Sequence, residues 1–413
     1  MINLYLFNEG SKASVYGIGT YIQQIKSMLK DEKDIKLTFL EIMSNKQEVL
    51  VEYVDYYRVI YFPLLKTTHI IKNQKRYFRN MWYILRKYIS KINNDQIVFH
   101  LNYFQESYLL EYIKKDYPEC RTIFTIHCQD WCFLLNGNTS YFKKIIKTDK
   151  ESLTDKKEIE VYEHFEIEKK IYDKVDYIIC LADYTKKLLI EEYNISDKKI
   201  TTINNGLKNS GILLGNKEKN HLKKELGFHT NTSIILFVGR LDIIKGVDFL
   251  IKSFQLILCR KPNCHLVIVG NGSLEKYLYD VKSFCGKVTF TGKIDRADVS
   301  CFYQIADVGI MPSMNEQCSY VAIEMMMYGI PIVASDTTGL KEMIDNDING
   351  NLVKAEEKES EVSISPEIIA EKALKYLSCK KNKRKEIIQN LFIKKYELST
   401  MKEKYMNFYK SIC

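Results

Sequence analysis

The chain has 413 residues, 46% apolar and 12% aromatic; that is a globular composition, and the length defaults to two domains of about 200 residues each. Its formal charge of +9 is modest for this length: it fits a polyanionic ligand or an acidic membrane surface, and no nucleic-acid-binding motif accompanies it. The 11 cysteines are scattered, odd in number and without a Cys-x-x-Cys pair, so they read as reduced thiols in a cytoplasm and exclude a disulfide framework.

Ile2 to Phe7 is a short apolar run soon followed by Glu9. It lacks a basic leader and a long apolar core, so it predicts a first strand and not a signal peptide. No window approaches ~20 apolar residues, so no membrane-spanning helix is expected. Tyr16-Gly17-Ile18-Gly19 then opens a helix. Strand, glycine turn and helix is a phosphate-binding layout. As a dinucleotide fingerprint it is incomplete, because Ile22 takes the place of the third glycine. From Thr68 to Ile92, Phe78, Met81, Trp82, Leu85, Tyr88, Ile89 and Ile92 repeat at threes and fours, with Lys72, Lys75, Arg76, Arg79, Arg86, Lys87 and Lys91 opposite. Two readings fit this amphipathic helix: a basic surface on anionic lipid, or, preferred here, a helix packed on its own sheet with a solvated charged face. Strands are expected at Ile97–His100 and Thr122–Ile126, each ending in or just before a histidine, His100 and His127. Carboxyl ends of strands line the ligand crevice of open α/β sheets; a lone histidine there is more often structural than catalytic. His127, Cys128 and Cys132 have no second ligand pair at zinc spacing, so no metal is expected. Asn136 to Lys157 is polar and lysine-rich without periodicity and reads as a mobile loop. Helical and strand patterns resume until Asn204-Asn205-Gly206-Leu207, a turn signal.

Residues 208–220 read as a linker. Ser233 to Val238 is an apolar strand, followed by Gly239-Arg240-Leu241-Asp242-Ile243-Ile244-Lys245-Gly246 and a helix from Val247. Arg240 and Lys245 at a helix start suit a diphosphate, since arginine's fork spans two oxygens and lysine adds a compact charge; an Arg240–Asp242 surface pair is the bland alternative. A further strand runs into Gly270-Asn271-Gly272-Ser273, where glycines permit close backbone approach to a ligand. Val308 to Met311 then leads through a polar loop to Ser319, a helix near Tyr320–Tyr328, Gly329 and the strand Ile330–Ala334, a β-loop-α-β unit of a parallel sheet. Glu316 precedes this helix and Glu324 lies within it, with seven residues between them. The helix start at Ser319, Tyr320 and Val321 favours an anion, while two carboxylates suit hydroxyl groups. Together they point to a ligand with phosphate and vicinal hydroxyls, such as a nucleotide sugar; solvated glutamates are the open alternative. Asp345-Asn346-Asp347 sits beside Asn349-Gly350 and reads as a turn. Glu356 to Ser365 reads as a loop, Pro366 to Leu377 as a helix, Cys379 to Lys385 as a solvated basic run, and Lys385 to Tyr409 as helical.

The stretch Pro312–Glu342, with Glu316 and Glu324, Gly329-Ile330-Pro331, Ala334-Ser335-Asp336 and Gly339-Leu340-Lys341-Glu342, resembles the E-x7-E segment of family-4 retaining glycosyltransferases. The resemblance is strong from Gly239 to Gly350, thin before Leu207, and departs from the family at Tyr16, in place of the first glycine of a Gly-Gly loop that retains Gly17. It departs again at Cys318 and Ser319, where the family often has an aromatic residue and a glycine. It implies an α/β protein of two Rossmann-like doubly wound parallel-sheet domains facing a cleft, the GT-B architecture. The domains would be 1–207 on the acceptor side and 221–390 on the nucleotide-sugar side, with a final helix, 391–413, returning to the first. It implies a metal-independent hexosyltransferase that needs no cofactor and takes a nucleotide-diphosphate sugar as co-substrate. Arg240 and Lys245 would neutralise the leaving diphosphate, Glu316 would hold sugar hydroxyls, Glu324 the ribose, and His127 the sugar from the opposite domain. Gly17, Gly239, Gly270, Gly272 and the helix start Ser319, Tyr320 and Val321 would line the donor. The expected acceptor is a glycan or lipid-linked glycan of polysaccharide biosynthesis, handled in the cytoplasm at the inner face of the membrane, with a peptide or protein acceptor as the alternative. A non-catalytic partner subunit should have lost some of Arg240, Lys245, Glu316 and Glu324, and all four are present. A nicotinamide-dependent oxidoreductase would instead bind a nicotinamide dinucleotide saturably.

Overall fold

The computed structural model describes residues 1–10, 17–64, 71–89, 95–359, 361–378 and 382–413. Tyr16, both ends of the basic helix (68–70 and 90–92) and residues 379–381 of the basic run lie outside them. The chain divides into two compact units, one of Met1–Gln129, Glu163–Asn205 and Leu398–Cys413, the other of Asp130–Tyr162 and Gly206–Glu397.

The first unit is built on eight strands: β1 (Ile2–Glu9), β2 (Ile35–Ser44), β3 (Leu50–Val54), β4 (Tyr57–Pro63), β5 (Gln96–Leu101), β6 (Arg121–Ile126), β7 (Tyr177–Cys180) and β8 (Ile200–Thr202). Their order is β3-β4-β2-β1-β5-β6-β7-β8. Every pair is parallel except the β3–β4 hairpin. All eight residues of β1 are buried, as a strand covered by helices on both faces must be. The helix Ile71–Leu85 buries Phe78, Met81, Trp82 and Leu85 and leaves Lys75, Arg76 and Arg79 exposed. Trp82 packs 6.2 Å from the Phe99 ring, and its indole N–H donates to Asp116 at 2.8 Å. The apolar stripe is therefore consumed inside this unit. The helix Leu398–Ile412 belongs to the unit too, burying Tyr405 and Tyr409 completely. The expected single terminal helix is two, Asn382–Tyr396 and Leu398–Ile412, parted at Glu397, where Leu207 pairs with the chain.

The second unit has six parallel strands, β9 (Ser233–Val238), β10 (Cys264–Val269), β11 (Val288–Gly292), β12 (Val308–Met311), β13 (Ile332–Ser335) and β14 (Gly350–Val353), in the order β11-β10-β9-β12-β13-β14. That is a doubly wound sheet whose order reverses between β9 and β12. Helices Val247–Arg260 and Pro366–Ser378 pack together, joining Leu250, Phe254 and Ala373 to the core residues Ile235, Phe237 and Ile310.

Two expected loops have structure. Residues 139–147 form a helix capped by Asn138, whose side chain accepts from the Tyr141 N–H at 2.8 Å. Trp131 stacks on Phe142 at 4.2 Å, and the Asn138 amide donates to the carbonyls of Glu359 and Glu361. The segment thus groups with the second unit. Its one apolar stripe was too short to stand out among the lysines. Glu356–Ser365 contains an antiparallel hairpin, β15 (Ala355–Lys358) with β16 (Glu361–Ile364); Val362 and Ile364 turn inward and Glu361 and Ser363 outward.

The helix Asn216–Glu225 begins inside the stretch read as a linker. Lys219 and Lys223, one turn apart, reach the buried Asp307 carboxylate at 2.7 and 3.7 Å. Asp307 also accepts the Ile234 N–H at 2.8 Å, so the charges lock this helix to the sheet. Among the described residues no helix is long and apolar enough to cross a membrane.

Candidate active site

In the second unit the loops after β9 and β12 leave the sheet where the strand order reverses, which is where open α/β sheets bind ligands. Gly246 brings them together: its φ is +67°, and a Cβ there would sit 2.0 Å from the Pro312 carbonyl oxygen. Only glycine tolerates both the conformation and the approach. Lys245, just before it, places Nζ 2.5 Å from Glu316 Oε1. The expected phosphate ligand of one loop and the expected sugar ligand of the other are therefore in contact. Glu316 is held by its backbone: its N–H donates to Thr338 Oγ1 at 2.9 Å, and its carbonyl accepts from that hydroxyl at 2.6 Å and from the Gly339 N–H at 2.8 Å.

Asp242 caps the 3-10 turn Ile243–Lys245, accepting from the Lys245 N–H at 3.2 Å. Its carboxylate also lies 3.1 Å from the Arg240 guanidinium, with both side chains more than a third exposed. Such a pair is weak in water and can yield to a better anion. The Arg240 guanidinium also stands 5.8 Å from the Phe133 ring.

Gly239 directly follows β9 and Gly270 directly follows β10. A Cβ on Gly270, at φ +144°, would fall 1.8 Å from the Gly239 carbonyl oxygen, so these two turns share one backbone layer. Gly272 continues it by pairing with Leu241. Ser319 caps the helix Tyr320–Met327, its Oγ accepting from the Ala322 N–H at 3.5 Å; Tyr320 and Val321 form the first turn. Glu324 lies farther along the helix, its side chain 18% exposed. The Tyr303 hydroxyl donates to Oε2 at 2.7 Å, and an Arg296 nitrogen lies 3.5 Å from Oε1. Burial raises the Glu324 carboxyl above the usual carboxylate range, while Tyr303 and Arg296 pull it back down. Tyr303 and Arg296 were not foreseen: they come from the helix Arg296–Ile305, and nothing in their local sequence marks them.

Of the residues expected on the first unit, Gly17 opens the helix Gly17–Leu29, is exposed, and has open space where a Cβ would be. His127 follows β6, with Nε2 3.0 Å from Asn102 Oδ1 and the Tyr21 ring edge-on at 4.6 Å. Burial pushes its pKa down to about 3, so the ring is neutral at physiological pH. His100 is fully buried: Nε2 lies 2.7 Å from Thr125 Oγ1, and Nδ1 2.8 Å from the Tyr409 hydroxyl. Both nitrogens are spent on packing, so His100 is structural. Asp345 and Asp347 bond to Lys395 and Lys375 around a tight turn. Among the described residues no cluster of three His, Cys, Asp or Glu could hold a metal ion.

A sequence model described as "Glycosyl transferases group 1" matches residues 218–391, and one described as "Glycosyltransferase Family 4" matches residues 15–209. An uncharacterized glycosyltransferase of Methanocaldococcus jannaschii is 34% identical over 178 residues, 42% of this chain and 45% of that protein; the chain thus spans less than half the length of this relative. Sucrose-phosphate synthase from Thermosynechococcus elongatus superimposes with a TM-score of 0.76 at 17% identity, over 100% of this chain and 99% of that one. HepE of Anabaena, in complex with UDP-glucose, gives a TM-score of 0.70 at 14% identity, over 99% of each chain. At such identities the likeness speaks for the fold, which is GT-B. The two sequence models together span most of the chain, and with them the chain belongs to the family-4, group 1 glycosyltransferases.

Proposed function

We propose that the chain transfers a hexose, with retention of anomeric configuration, from a nucleotide-diphosphate sugar to a hydroxyl of a glycan or lipid-linked glycan in polysaccharide biosynthesis. The observation that carries this reading is the Lys245–Glu316 contact at the switch point of the second sheet. It joins a cation that can neutralise a leaving diphosphate to a carboxylate that can grip sugar hydroxyls. A bound diphosphate would compete for Lys245 and free Glu316 for the sugar. Arg240 adds a second cation, the Ser319–Val321 helix start adds backbone donors, and Glu324 takes the ribose hydroxyls. His127 takes a sugar or acceptor hydroxyl. The charge work falls to Arg240 and Lys245, and the proposed transfer calls on no metal. The UDP-glucose complex of the Anabaena protein supports a nucleotide sugar as the donor class.

The exposed Lys75, Arg76, Arg79, Arg86 and Lys87 leave a basic face on and just after the helix Ile71–Leu85. A solvated face is the reading preferred above; contact with anionic lipid at the inner face of the membrane, where a lipid-linked acceptor would be met, is the alternative that one test separates from it. On that alternative, pelleting with anionic vesicles should fall when Lys75, Arg79 and Arg86 are replaced by glutamine; unchanged pelleting would remove it.

The decisive experiment is ligand-detected NMR with UDP-, GDP- and ADP-sugars on the purified chain and on Glu324→Ala. One nucleotide sugar should bind the wild type and lose most of its affinity in the variant. Binding of none, or equal binding by both proteins, would overturn the reading.

A further inference from the structure

His127 and Asn102 follow neighbouring strands, β6 and β5. Asn102 is buried, and its Nδ2 donates to the Phe7 carbonyl of β1 at 2.9 Å. A carbonyl only accepts, so the amide cannot be turned round, and Oδ1 must be the atom facing His127 Nε2 at 3.0 Å. Oδ1 also only accepts, so Nε2 must carry the hydrogen. In a neutral imidazole this leaves Nδ1 as a lone-pair acceptor. Among the described residues no hydrogen bond reaches Nδ1, whereas both nitrogens of the other imidazole nearby, His100, are bonded within the unit. The Tyr21 ring edge fixes the plane of His127.

We infer that Asn102 is a positioning residue that locks His127 in its Nε2–H form, so that His127 serves its ligand only as a hydrogen-bond acceptor. The inference rests on the proposed sugar transfer. It narrows the role of His127 within it: Nδ1 accepts a hydrogen bond from a sugar or acceptor hydroxyl and cannot supply a proton to the leaving group. A ligand whose hydroxyl there is replaced by fluorine, which cannot donate, loses the contact.

The test is long-range proton–nitrogen NMR on the full chain labelled at histidine, from pH 5 to 8, paired with steady-state transfer. The wild type should show a single neutral Nε2–H ring for His127. Asn102→Ala should mix the tautomers and lower kcat/KM roughly tenfold, the usual scale for an orienting partner. Asn102→Asp should keep the tautomer, hold the proton to higher pH, and recover activity as the pH rises. A purely structural asparagine would show neither the mixing nor the altered pH profile. An Nδ1–H ring in the wild type, or mixed tautomers with unchanged kcat/KM, overturns the inference. Should the wild type transfer no sugar, the proposed reaction fails, while the tautomer in wild type and Asn102→Asp still decides the role of Asn102.

Discussion

The two units carry the same kind of sheet and put different chemistry at its turning point. In the second unit the loops after β9 and β12 present charged pairs: Arg240 with Asp242, more than a third exposed, and Lys245 with Glu316, mostly buried. In the first, whose order turns between β1 and β5, the groups beside β5 and its neighbour β6 are neutral and buried, with the Tyr21 hydroxyl 2.7 Å from that of Tyr405 and 3.2 Å from Thr125, and His100 between Thr125 and Tyr409. The exposed Arg240–Asp242 pair exchanges partners at small cost, whereas Lys245 can leave Glu316 only for another anion such as a phosphate, because its charge is mostly buried. A buried neutral network cannot be re-partnered without stranding a donor or acceptor, so it holds a geometry. One unit is built to receive charge and the other to stay fixed.

The largest effect that would sharpen this contrast is Lys245→Ala. Removing a preorganised positive group opposite the leaving diphosphate should cut kcat/KM by roughly a hundred- to a thousand-fold, with the unfolding transition little changed. Loss of folding in place of activity would make Lys245 a structural ion-pair residue and break the comparison from the second unit's side.

His100→Leu tests the other side. It strands the Tyr409 hydroxyl and leaves Thr125 its bond to Tyr21, and should cost about 1–3 kcal/mol of stability, while nucleotide-sugar affinity stays near wild type. Burial pushes the folded pKa of His100 down to about 3, from an ordinary value of 6.5. The unfolded chain therefore takes up the proton first as the pH falls. The stability that neutral His100 contributes is complete above about pH 6.5 and drains away toward pH 3, at up to about 1.4 kcal/mol per pH unit. The gap between wild type and His100→Leu in denaturant unfolding should accordingly be widest near pH 7.5 and narrow at pH 5. A gap that widens on acidification would show that His100 is charged in the fold.

The smallest effect belongs to Tyr303→Phe, which removes one donor to Glu324 and leaves Arg296. Nucleotide-sugar KM should rise roughly five- to tenfold, the net scale of one ordinary hydrogen bond, with kcat nearly constant. Because that hydroxyl lowers the Glu324 pKa, its loss should move the acid limit of donor binding to higher pH. An unmoved limit would mean that Glu324 does not carry the binding.

The fold was legible wherever burial wrote itself into the chain. Runs such as Ile234–Val238 and Val308–Met311 are apolar because parallel strands are covered on both faces, and glycines such as Gly246 and Gly270 stand where backbone meets backbone. The helix at 139–147 and the hairpin at 355–364 escaped because each is too short to build a periodic signal, and each is held by partners distant in the chain, as Asn138 is by Glu359 and Glu361.

The sequence by itself determined where the strands, glycine turns and helix starts lie and which residue types gather on the loops between them, because those signals are local, while the doubly wound arrangement was implied by the family resemblance. Only the tertiary structure decided which of those residues meet. The Lys245–Glu316 pair spans 71 positions, the Tyr303–Glu324 bond 21, and the Asn102–His127 bond 25. Contacts of that range are set by strand order and helix packing, which no local pattern encodes. The charge state of His127 and the partners of Glu324 were decided there as well, because burial and hydrogen bonding, not residue type, fix a group's protonation.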